Sequence, residues 1–217
     1  MGVSAAQGSA GLKPGVCTST TRPSNPFEGQ MIYETDTDLT YIYGGSAWQQ
    51  VSGGTAVGNS GLVYVTSATV GTGVSTVAVT NAFNATYENY KITYSGGASS
   101  TASVIDFTLT GSTLGHYAVM PYYAYATGIG ATVLSNNRAN WTHAGGGAVS
   151  TPNMNVEIQM PFLAKATFMV GNYNDGTNTG MITGYQSQTI SFTGFSIAPS
   201  AGTFTGGTIT IYGYRNA

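Results

Sequence analysis

Glu34, Asp36 and Asp38 alternate along the chain. On an extended strand such side chains share one face, and three carboxylates together make a ligand set for a hard cation such as Ca²⁺. The polar run 35–38 reads as a turn, however, which splays the three into solvent, and the spacing lacks the later Gly and terminal Glu of an EF-hand loop. His116 and His143 have no Cys or acidic neighbour at ligand spacing, which argues against zinc. Ser and Thr are abundant, but no Gly-x-Ser-x-Gly elbow places one as a nucleophile. Beyond residue 61 the acids are Glu88, Asp106, Glu157 and Asp175, and nothing in their spacing marks the pair that glycoside hydrolysis requires. The expectation is a chain without catalytic residues, metal or cofactor. Aromatic residues offer a different chemistry. Tyr122, Tyr123 and Tyr125 cluster beside Tyr117, with Trp141 further on. Their rings suit stacking on a sugar or anchoring a protein interface, and they equally suit core or intersubunit packing. Tyr122, Tyr123, Tyr125 and Trp141 are the candidate ligand-binding residues.

The elements that carry these residues follow from composition. Of 217 residues only 6% are charged and 41% are hydrophobic, with 31 Gly and a net charge of −2. Nucleic-acid binding driven by counterion release needs clustered Lys and Arg, and the sequence has no basic stretch. The lone Cys17 excludes an intrachain disulfide. No window reaches the ~18 apolar residues of a membrane helix, so no membrane insertion is expected. The first twelve residues lack the basic and apolar regions of a signal peptide, which disfavours export by the usual route and leaves release inside a particle freed by lysis.

Thr, Val, Tyr, Phe and Ile dominate between Gly-rich punctuation, and period-two alternation recurs. Ile105, Phe107 and Leu109 share one face of a strand; so do Tyr90, Ile92 and Tyr94; so do Met154, Val156, Ile158 and Met160. In residues 165–171 the inward set is Ala166, Phe168 and Val170. Ile209 and Ile211 oppose Tyr212 and Tyr214. Gly194 sits where the apolar parity changes between Phe192 and Phe195, the signature of a bulge where a strand passes between sheets. The pattern predicts an all-β chain: a flexible N-terminal arm over 1–15, a small β-meander module over 16–53, a Gly/Ser-rich linker over 54–61, and an antiparallel β-sandwich, jelly-roll-like, over 62–217 with eight to ten strands. Phe27, Ile32, Tyr41, Tyr43 and Trp48 are the expected module core. A unit of that size rarely folds alone, which points to completion by other chains or by the neighbouring domain. Low charge also leaves edge strands unprotected, since the chain has only three lysines, and contact with other subunits would cover them.

The stretch from Cys17 to Asp38, with Arg22-Pro23, Pro26, Glu28-Gly29-Gln30, Ile32-Tyr33-Glu34-Thr35-Asp36-Thr37, then Tyr41, Tyr43 and Gly45-Ser46-Ala47-Trp48, resembles a module of tailed-bacteriophage virion surface proteins: tail fibres, minor tail proteins and head fibres. Residues 85–92 and 206–216 are similar to segments of fibre-associated β-domains. The resemblance implies a non-enzymatic structural role in the virion, a homotrimer, docking of the N-terminal region to other virion proteins (a portal or tail adaptor, or the capsid), and host attachment by the C-terminal domain through a surface glycan or protein. It leaves tail fibre, head fibre and capsid decoration open.

Overall fold

β-Branched and aromatic residues build strands throughout, and no helix occurs among the described residues. The computed structural model describes residues 14–51 and 61–215. These fall into two units, one within residues 1–59 and one within 60–217. The expected arm and linker lie almost wholly outside the described residues.

The first unit is a four-stranded sheet: β1 (Gly15–Cys17), β2 (Met31–Glu34), β3 (Leu39–Tyr43) and β4 (Trp48–Gln50), in that spatial order. β2, β3 and β4 form the antiparallel meander, and β1 adds to it in parallel with β2. Asp38 takes a left-handed conformation (φ 55°) in the turn between β2 and β3. Of the expected core residues, only Ile32 is fully buried, while Tyr41, Tyr43 and Trp48 are half-buried. Phe27 is a correction: it is 69% exposed. It sits in a turn in which the Gln30 N–H donates to the Phe27 carbonyl (3.0 Å), after Pro26 has fixed the approach, so its ring projects from the loop. The unit relies instead on edge contacts. The Tyr43 and Trp48 rings meet at 5.3 Å, and the Arg22 guanidinium lies 4.4 Å from the Tyr41 ring centroid.

The second unit holds fourteen strands, more than the alternation counts: β5 (Leu62–Thr69), β6 (Val77–Val79), β7 (Asn89–Ser95), β8 (Ala98–Ser99), β9 (Ser103–Leu109), β10 (His116–Ala124), β11 (Gly130–Arg138), β12 (Trp141–Gly147), β13 (Asn153–Gln159), β14 (Thr167–Asn174), β15 (Asn178–Gln186), β16 (Phe195–Pro199), β17 (Phe204–Thr205) and β18 (Thr208–Tyr214). Twelve of them make two layers of a β-sandwich. The larger runs β5-β18-β7-β13-β14-β15-β10-β11, the smaller β12-β9-β16-β6, and a short β12–β13 pairing joins them. β8 and β17 form a separate pair.

The inner faces supply one continuous core. Tyr90, Ile92 and Tyr94 of β7, Ile105, Phe107 and Leu109 of β9, Met154, Val156 and Ile158 of β13, and Ile209 and Ile211 of β18 are all buried, as their alternation requires. β14 reverses the expectation. Thr167 and Met169 point inward, while Phe168 is 43% exposed. Both faces of this strand are apolar, so alternation marks a strand without saying which face is the core. The parity change near Gly194 has a simpler cause than a bulge: the backbone from 187 to 194 is irregular, and β16 begins at Phe195.

Candidate binding surface

The alternating acids do not converge. Glu34 is fully buried and paired with the Arg22 Nε, and it accepts the Thr37 hydroxyl at 2.8 Å. Asp36 accepts the Ser19 amide (2.9 Å) and hydroxyl (2.6 Å). Asp38 accepts the Tyr33 hydroxyl at 2.7 Å. The Arg22 hydrogen bond holds the Glu34 carboxyl below its usual range, and the Ser19 hydroxyl does the same for Asp36. Glu34 and Asp36 thus tie the β1–β2 connection to the end of β2 and its turn, and Asp38 braces that turn against β2. Among the described residues, no three His, Cys, Asp or Glu side chains are grouped to hold a metal ion.

Two acids of the sandwich are likewise engaged. Asp175 caps the β14–β15 turn, accepting the Thr177 amide (2.8 Å), the Asn178 amide (2.6 Å) and the Tyr173 hydroxyl (2.7 Å). Asp106 accepts the Asn140 side-chain amide at 3.1 Å, and burial raises its pKa.

His116 is fully buried, and its Nδ1 lies 3.2 Å from the Arg138 carbonyl. We assign the proton to Nδ1, which donates to that carbonyl. Burial lowers the pKa of His116 and of half-buried His143 below 6.5. In the unfolded chain both rings protonate as pH falls through about 6.5, while the folded rings resist until a lower pH. Their contribution to stability is therefore complete above 6.5 and is lost as pH falls toward the folded values. Asp106, whose pKa is raised, acts with the opposite sign. The melting temperature of His116→Asn is expected to fall less than that of the parent between pH 7 and 5.5, as scanning calorimetry would measure; equal slopes would contradict this.

The four aromatic candidates separate by depth. Trp141 is a correction: it is fully buried, its ring 6.0 Å from Phe107 and 4.8 Å from His116, and its Nε1 donates to the Tyr117 carbonyl at 3.1 Å. It bridges the two layers and presents nothing to a ligand. Tyr122 is half-buried and packs against the core. Tyr123 and Tyr125 are 58% and 59% exposed. The Tyr125 amide donates to the Thr177 carbonyl (2.9 Å), and its hydroxyl accepts the Asn174 side-chain amide (3.0 Å). Two neighbouring hairpin turns, β10–β11 and β14–β15, are thereby tied into one tip that also carries Ile129, 71% exposed.

A second exposed surface has no counterpart among the sequence candidates. On the outer face of β11, β10, β15 and β14, a groove of about 580 Å³ is lined by Tyr117, Val119, Leu134, Phe168, Thr183 and Tyr185. Pairing places Leu134, Val119, Thr183 and Val170 in one row across the four strands, and Tyr117, Tyr185 and Phe168 in the next. The Tyr117 and Tyr185 rings stack at 4.9 Å and 10°, and Phe168 lies 6.2 Å from Tyr185. The signal in the sequence is apolar residues at both parities: Met169 beside Phe168, and Val119 between Ala118 and Met120. No helix among the described residues is long and apolar enough to cross a membrane. No family model, curated protein or solved structure matches this chain.

Proposed function

We propose that this protein is a non-enzymatic structural component of a tailed-phage virion. In this reading it is fibre-like, present in several copies, docked to the particle through its N-terminal module, and in contact with the host surface through its sandwich. The observation that carries the host-contact reading is the tip: Tyr123, Tyr125 and Ile129 stand exposed on turns held by hydrogen bonds, and the one acid there, Asp175, is engaged in capping its own turn. Rigid aromatic anchors of this kind give contact area at small entropic cost, on a glycan ring or on a protein. The acids and the Arg22–Glu34 pair, by contrast, serve the module's own loops, as befits an attachment unit.

The test has two parts. An antibody against the sandwich, imaged on particles, is expected to decorate the tail; decoration of the head would move the protein to a head-fibre or capsid-decoration role, and absence from particles would refute the virion reading. Adsorption of the purified protein to host cells is expected to drop at least ~10-fold for Tyr123→Ala with Tyr125→Ala, matching the loss of two interface anchors. Unchanged adsorption would remove the tip from the reading.

A further inference from the structure

We propose that the outer face of β11, β10, β15 and β14 is the surface on which one copy of this chain packs against a second. The inference rests on the multi-copy assembly proposed above and names its surface.

The face is large and apolar. Val119, Leu134, Phe168, Met181 and Tyr185 are exposed by 40% to 69%. At roughly 100 Å² each they offer on the order of 500 Å², in the upper part of the range for the largest patch on a monomer and over half of the ~800 Å² per partner of a stable interface. A sheet that is apolar on both faces needs a layer on each. The smaller sheet of the sandwich covers only the inner one.

The segments outside the described residues supply little to cover the outer one. Residues 1–13, 52–60 and 216–217 contain only Met1, Val3, Leu12 and Val57 as larger apolar side chains. Those are too few and too scattered to fill a groove of about 580 Å³.

The charge pattern selects the occupant. None of the residues lining the groove is charged. The first charges along the same row are Glu157 and Lys91, on β13 and β7, beyond Val170. A strongly charged partner would bury its charges unpaired, at a cost that nothing here offsets. A second copy brings the same uncharged face. Leu134, 69% exposed, supplies a projecting knob beside the groove that would receive its counterpart, and a self-complementary contact requires knob and socket on one patch. Among the described residues β11 pairs only with β10, which leaves its outer edge without a strand, and apart from Arg138 at its end it contains no charge, and no Pro, to discourage contact. Sheet-on-sheet packing of two copies would shield that edge at the rim.

Sedimentation equilibrium on the full chain tests this. The parent is expected to run at a multiple of 22.3 kDa. Leu134→Glu with Val119→Glu is expected to weaken association at least ~30-fold, the effect of losing one strong anchor. Because Leu134 and Val119 are 69% and 45% exposed, the glutamates stay solvated in a single copy, which circular dichroism and an unchanged melt of the dilute protein would verify. Leu134→Ser with Val119→Ser provides the same readout should the charged pair misfold. Tyr64→Glu, at 59% exposure on the opposite edge strand β5, is the control and is expected to keep the parent mass. A monomeric parent overturns both the surface and the multi-copy reading. Variants that keep the parent mass, or a control that dissociates equally, overturn the surface alone.

Discussion

Trp141→Ala is expected to destabilise the sandwich by about 3–5 kcal/mol, the range for removing a fully buried large aromatic side chain. The ring stands where the two layers meet, against Phe107 of its own layer and His116 of the facing one. Gly184 of β15 makes room for it, since a Cβ there would lie 2.7 Å from the indole Nε1. Truncation leaves a cavity that two packed sheets cannot collapse, and it strips the Tyr117 carbonyl of a donor. Trp141→Phe separates these effects: most of the packing survives, and the lost hydrogen bond costs about 1 kcal/mol. Urea unfolding followed by tyrosine fluorescence would measure both. A loss below ~1 kcal/mol for the alanine variant would mean that the ring is not a core element.

Gly146→Ala is expected to be comparably severe through the opposite mechanism, the insertion of atoms. A Cβ at Gly146 would lie 1.9 Å from the Asn174 carbonyl oxygen and 2.9 Å from the Asp175 Cα, both backbone atoms at the end of β14. That carbonyl also accepts the Asn153 side-chain amide at 2.9 Å, so pushing it aside breaks a hydrogen bond as well. Overpacking of this kind costs ~3 kcal/mol or more when the obstacle is backbone. For a unit of this size the melting temperature should fall by on the order of 10 °C. A variant that melts within a degree or two of the parent would show that β12 can move away from β14, and that its short pairing with β13 is not a fixed joint.

These two residues mark where the sequence could be read and where it could not. The β class and the inward registers of β7, β9, β13 and β18 follow from alternation, because in those strands one parity is apolar and the other largely polar. β14 and β10 are apolar at both parities, so the same rule cannot tell the core face from the exposed groove, and it places Phe168 on the wrong one. Trp141 heads a strand that continues Thr-His-Ala-Gly-Gly-Gly, where no alternation exists, and an isolated tryptophan among polar neighbours reads as surface. The glycines of that strand read as punctuation, although they lie inside it: their smallness lets β12 approach β13 and the β14 terminus. In the module, the spacing of Glu34, Asp36 and Asp38 was visible, but Arg22, Ser19 and Tyr33 become their partners only when the loop and turn fold over them. Phe27 shows the limit of hydrophobicity alone, since a turn held by its own backbone can carry a bare ring.

The scarcity of ionic groups has an environmental consequence. Among the described residues the Arg22–Glu34 contact is the one ion pair, and its carboxylate is buried while the Arg22 side chain is 31% exposed. Simple electrolytes therefore have little to screen, and passage from fresh water to brine should leave the folding free energy nearly unchanged. Solutes excluded from apolar surface, such as sulfate, are the ones that should tighten the molecule. Such a molecule would tolerate osmotic extremes because carboxylates such as Asp36, Asp38 and Asp175 are held by neutral hydrogen-bond donors, with one ion pair among the described residues.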